Sequence, residues 1–97
     1  MKGGIKRKTL TYGQKNLLVE FIIPKGAKFP EHAHPYEQIG YLVKGKLSLW
    51  IGNKQFEVNP GDSWCIPADV THKVIAEEDS IAVDVFSPPR EDYMVRC

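Results

Sequence analysis

Apolar and polar positions along this chain alternate in short runs, each closed by Gly, Pro or a cluster of charged residues. Leu17 to Ile23 stops at Pro24, Ile39 to Val43 at Lys44-Gly45, Leu47 to Ile51 at Gly52-Asn53-Lys54, and Gln55 to Val58 at Asn59-Pro60-Gly61-Asp62. Ser63 to Ile66 ends at Pro67, His72 to Ile75 before Glu77-Glu78-Asp79, and Ile81 to Phe86 before Pro88-Pro89. The runs are rich in β-branched and aromatic residues, which suit a pleated, half-buried surface, and the breakers between them supply turns. With a further short strand around the first two histidines, the spacing predicts seven or eight strands. The fold class is therefore all-β, an antiparallel jelly-roll β-barrel. Only the last few residues after Arg90 are compatible with a helical turn.

Length and charge narrow the functional classes. Ninety-seven residues, 42% hydrophobic and 26% charged, fit one globular domain over residues 1–97 with a modest core. Thirteen basic against twelve acidic residues leave a net charge of +1, too small for nucleic acid or an acidic membrane to be the main partner. The cluster Lys6-Arg7-Lys8 reads as a solvated terminus. No apolar stretch follows Met1-Lys2-Gly3-Gly4, and no window is long enough to cross a bilayer as a helix. Two thiols, Cys65 and Cys97, imply no disulfide framework, so a cytoplasmic location is expected, with Cys65 a packed small hydrophobe within Trp64-Cys65-Ile66.

The candidate chemistry lies in three histidines. His32-Ala33-His34 places two imidazoles at i and i+2, which one extended strand would point to the same face, and His72 lies in a second turn-rich segment. If the strand continues unbroken, Gln38 shares that face while Glu37 points away to the surface or an interface. Such a set suits one divalent metal ion per chain, with Gln38 either a fourth ligand or a barrel-lining amide that hydrogen-bonds a ligating imidazole.

Two longer motifs carry a family resemblance. Gly26, His32, His34, Gln38 and Gly45 are spaced as in the first motif of the cupin superfamily, and Gly61, Pro67, Asp69, His72 and Ala76 as in its second. The resemblance implies the jelly-roll barrel and a metal held by His32, His34 and His72. Three positions depart from the pattern: Gln38 replaces the usual Glu, Asp69 a Gly and Ala76 an Asn. The last two fall at a turn and a strand end and are expected to leave the metal untouched. A neutral amide in place of a carboxylate leaves the ion its full charge, which would favour polarising a substrate oxygen or binding an anion.

The C-terminal stretch adds a second group of candidates. In Ile81 to Phe86 the positions Ala82, Asp84 and Phe86 share one face. An Asp in a strand is costly unless paired or functional, and Pro88-Pro89 could fold Arg90 back over the barrel mouth to grip a carboxylate at two points. With the Gln-for-Glu change, this tail resembles the small cupins of pectin and alginate breakdown that linearise unsaturated monouronates. That resemblance implies Asp84 and Arg90 as catalytic residues, with Phe86 and Arg90 binding an anionic sugar. The plainer alternative is an Asp84–Arg90 salt bridge that ties down the terminus.

The function expected is a metal-dependent enzyme that opens and tautomerises a 4,5-unsaturated uronate, running on zinc or nickel. The alternatives are an iron or manganese dioxygenase and a non-catalytic sugar or small-molecule binder. A homodimer is expected from an apolar outer sheet face that includes Val83 and Val85 or their neighbours of opposite parity.

Overall fold

The structure is a computed structural model that describes residues 4–93, so Cys97 and the first three residues lie outside it. The alternation seen in the sequence becomes nine strands: β1 (Lys6–Tyr12), β2 (Leu17–Ile23), β3 (Lys28–His32), β4 (Glu37–Lys44), β5 (Leu47–Ile51), β6 (Lys54–Val58), β7 (Ser63–Ile66), β8 (His72–Ala76) and β9 (Ser80–Ser87). All pairings are antiparallel. They build a five-stranded sheet, β1-β2-β9-β4-β7, facing a four-stranded sheet, β3-β8-β5-β6. A 3-10 turn at Glu91–Tyr93 follows β9. No helix among the described residues is long and apolar enough to cross a membrane.

The inner faces close on one core. Leu17, Val19, Phe21 and Ile23 of β2, Leu42 of β4, Leu47 and Leu49 of β5, Ile66 of β7 and Ala82 and Phe86 of β9 are buried there, as their period of two requires. Gly45 shows how tightly the chain is drawn in between β4 and β5. Its φ is +99°, and a Cβ there would lie 2.1 Å from Ser80 Oγ, so only glycine fits. Asp69, at the motif position that usually holds Gly, has φ +65°, a conformation that Asp tolerates better than most residues.

Three expectations need correction. Lys6, Arg7 and Lys8 belong to β1 rather than to a solvated terminus. This edge strand pairs with β2 in a register that sets Lys8 opposite Glu20. An edge strand is exposed along most of its length and can be charged, which hides it from a search for buried alternation. Cys65 is exposed, because it takes the outward parity of β7 while Trp64 and Ile66 turn inward. His32 and His34 do not share a strand. β3 ends at His32, residues 33–36 cross from one sheet to the other, and β4 begins at Glu37. Pro35 supplies no N–H to a ladder, so strand pairing does not run on unbroken from the histidines into β4.

Candidate metal centre and anion pocket

The crossing at residues 33–36 brings together what strand parity alone could not. His32 closes β3 and pairs with His72, the first residue of β8, across the four-stranded sheet. His34 lies on the crossing itself, where its carbonyl accepts the backbone N–H of Asp69 at 2.8 Å. The ring centroids of His32 and His72 are 4.2 Å apart, those of His34 and His72 4.8 Å, and one ligand atom from each histidine lies within 4.8 Å of the others.

Each imidazole is oriented in the same way. Nδ1 faces a backbone carbonyl two residues away: Pro30 at 2.7 Å for His32, Tyr36 at 3.1 Å for His34 and Val70 at 2.9 Å for His72. A neutral ring donating its Nδ1 proton to these carbonyls keeps its lone pair on Nε2. The neutral form is favoured at the two buried rings. Burial, helped by the positive charge of Arg90, lowers His34, and burial pushes His72 down to about 4 against the hydrogen bond to Val70. His72 Nε2 is buried without a hydrogen-bond partner. A buried nitrogen lone pair facing two others is what a cation requires, so the residues fit a divalent metal.

Gln38 and Asp84 complete the inner wall. Gln38 Oε1 lies 3.2 Å from His34 Nε2, and the Gln38 amide acts to lower the neighbouring Asp84 carboxyl. Only the amide nitrogen can donate to a carboxylate, so Oε1 is left facing the histidines. Asp84 is 4% exposed and has no ion pair among the described residues. Burial pushes it up to about 7, opposed by hydrogen bonds from Gln38 and from Trp64. Its Oδ1 has no hydrogen-bond partner. Glu37 points outward and is exposed.

The tail brings Arg90 to the same cavity, which Phe86, Trp64 and Tyr93 also line. Its guanidinium stacks on Tyr93 at 4.0 Å and lies 5.1 Å from the Tyr36 ring and 5.2 Å from Phe86. Its ionic partner is Asp92, with Nε to Oδ1 at 3.3 Å and Nη2 to Oδ2 at 3.1 Å. The plainer alternative of an Asp84–Arg90 salt bridge is therefore not what the structure contains. Within one enclosure stand three convergent imidazoles, a fixed cation and an uncompensated carboxyl.

Residues 19–87 match the cupin domain family. This chain is a cupin. It is 32% identical over 93 residues to the pectin degradation protein KdgF of Dickeya dadantii, covering 94% of this chain and 84% of that protein. The solved structure of KdgF from a Halomonas species superposes with a TM-score of 0.92 at 32% identity, covering 96% of this chain and 86% of that one. An RmlC-like cupin from Shewanella frigidimarina gives the same TM-score and identity over 97% of this chain and 85% of that one.

Two cavity residues, Trp64 and Tyr93, were not singled out from the sequence, nor were Tyr36 and Asp92, which lie against Arg90. The signal for Trp64 was Gly40, a glycine in the middle of a strand, which marks a close approach by a neighbour.

Proposed function

We propose that this cupin opens and tautomerises a 4,5-unsaturated uronate released in pectin or alginate breakdown, using one divalent metal ion. His32, His34 and His72 hold the ion, with Gln38 Oε1 as the fourth donor. When bound it supplies a Lewis acid for substrate oxygens on which negative charge develops. Zinc and nickel suit such non-redox work, and manganese and iron are compatible with the same donors.

The remaining steps belong to the chain's own residues. Arg90 holds the substrate carboxylate, and Phe86 forms an apolar wall against the ring. Asp84 takes the proton of the anomeric hydroxyl. The aldehyde forms at C1 as the C1–O5 bond breaks, leaving the C5 oxygen as an enolate. The same carboxyl then returns its proton to C4, giving the saturated 5-keto acid, an isomer of the starting sugar. A carboxyl that burial raises to about 7 can serve as base and then acid near neutral pH. The observation that carries this reading is the convergence of His32, His34, His72, Asp84 and Arg90 on one cavity. The similarity to KdgF supports the substrate class.

Loss of the ultraviolet absorbance of the conjugated 4,5 double bond follows the reaction directly. Metal-loaded protein accelerates that loss on a galacturonate- or mannuronate-derived substrate. A rate no faster than the spontaneous one on both would overturn the assignment.

The protein also acts as a homodimer in this proposal. Ile39, Tyr41 and Val43 on the outer face of β4 are each 49% exposed, beside half-buried Val83 and Val85 of β9. Contiguous apolar surface of this kind favours a second copy. Light scattering is expected to give twice the 11.0 kDa chain mass.

A further inference from the structure

β1 meets the C-terminal segment at one residue. Arg7 and Thr9 are the half-buried positions of this otherwise exposed strand, and they pair in the ladder with Phe21 and Val19, both buried on the inner face. Residues opposite each other in a ladder share a face, so these two side chains of β1 turn toward the core. There both meet Tyr93. The Arg7 guanidinium lies 4.0 Å from the centre of the Tyr93 ring, and the Thr9 hydroxyl donates to the Tyr93 carbonyl. Tyr93 is buried and packs edge-on against Phe86 at 5.5 Å and Phe21 at 6.3 Å. Its ring carries a second guanidinium, that of Arg90, also at 4.0 Å. Arg7 has no ion pair among the described residues and does not line the cavity, whereas Arg90 and Tyr93 do. What fixes Arg7 is the π face of that ring.

We infer that Arg7 is a positioning residue for substrate capture: with Thr9 it fixes Tyr93, and Tyr93 fixes the guanidinium of Arg90 at the cavity. The inference rests on the role given to Arg90 above. Arg90 lies outside both sheets, and its carbonyl accepts the backbone N–H of Tyr93 at 3.0 Å. Asp92 holds one edge of its guanidinium, and the Tyr93 ring supports the plane. A shift of Tyr93 therefore moves the backbone and the side chain of Arg90 together, and a two-point grip on a carboxylate depends on both. Asp84 belongs to β9, so its position does not depend on this turn.

In the metal-loaded full chain, the ultraviolet assay reads kcat and KM apart. Arg7→Leu removes the cation from the ring and is expected to raise KM about fivefold with kcat little changed. Thr9→Val removes only the hydroxyl and should raise KM by a similar factor. Arg7→Lys keeps a cation but not the plane that stacks, so it should fall between wild type and Arg7→Leu. If Arg7 served the fold alone, its loss would lower the active fraction, and with it kcat, at an unchanged KM. A wild-type KM in Arg7→Leu, or a fall in kcat alone, overturns the inference. A readout independent of activity is available because Arg7, Arg90 and Arg96 are the only arginines, so ¹⁵N-labelled protein gives few Nε–H resonances and Arg90→Lys identifies one of them. Thr9→Val is expected to move the Arg90 resonance, and an unmoved one overturns the inference even if Arg7→Leu does not fold. A wild type inactive on unsaturated uronates sinks the functional reading instead, and the Arg90 resonance still decides the contact.

Discussion

Gln38 lies between His34 and Asp84, its Oε1 3.2 Å from His34 Nε2 and its amide acting to hold the Asp84 carboxyl down against the effect of burial. This explains why a glutamine, rather than the glutamate usual in cupins, fits here. A carboxylate at position 38 would face a second carboxylate with no proton donor between them.

Restoring the family's residue is therefore expected to damage the enzyme. Gln38→Glu should raise Asp84 further, because a like charge disfavours its ionised form, and move the acid-side activity limb, along which this base loses its proton, to higher pH. Metal should bind no more weakly, since a carboxylate is the better ligand. An unshifted pH–rate profile at wild-type rate would count against this role of Gln38.

Metal content tests the histidine set separately from activity. His34→Ala is expected to abolish stoichiometric metal by elemental analysis. Gln38→Ala should reduce affinity less, because an amide oxygen is a weaker donor than an imidazole. Full metal content in His34→Ala would refute the site.

Asp92 and Arg90 make a prediction about substrate capture. Asp92 takes the Nε edge of the guanidinium and leaves the rest of the fork for a ligand. Arg90→Lys keeps the charge and loses the fork, so KM should rise by about an order of magnitude. Asp92→Asn loosens the anchor and should raise KM by a smaller factor. A KM lowered by Asp92→Asn would mean that Asp92 competes with substrate rather than orienting its receptor.

Stability against pH isolates the buried carboxyl in metal-free protein. Asp84 is raised from 3.8 to about 7, so the folded state binds its proton more tightly and this contribution is lost as pH rises from about 4 through 7. His72, lowered from 6.5 to about 4, works in the opposite direction over the lower part of that window. The two largely offset each other in the wild type. Asp84→Asn removes the first, so its stability relative to wild type should climb between about pH 4 and 7 by a few kcal/mol and then level off. Urea unfolding at stepped pH measures this, and a pH-independent difference would mean that Asp84 titrates normally.

The sequence revealed the barrel because strands such as Leu17–Ile23 and Ser80–Ser87 each bury one face, and burial leaves a period of two. β1 left no such trace, as its partner lies on one side only. The histidine spacing disclosed which side chains gather but not how. Parity assumes an unbroken strand, and Pro35 breaks it. The pattern of β9 alone put Asp84 on one face with Ala82 and Phe86 without saying which face turns inward, and its meeting with Trp64 depends on the order β9-β4-β7, which no local pattern encodes.

The two halves of the proposed chemistry are written into different kinds of structure. The cation donors are set by ladders and by the carbonyls of Pro30, Tyr36 and Val70, so altering them disturbs the barrel. Arg90 belongs to a segment beyond the last strand, held by Asp92 and by stacking on Tyr93. Replacement of that segment would exchange one substrate for another while the donors stayed in place. A lineage built on this barrel can thus change its diet by editing half a dozen residues at its end.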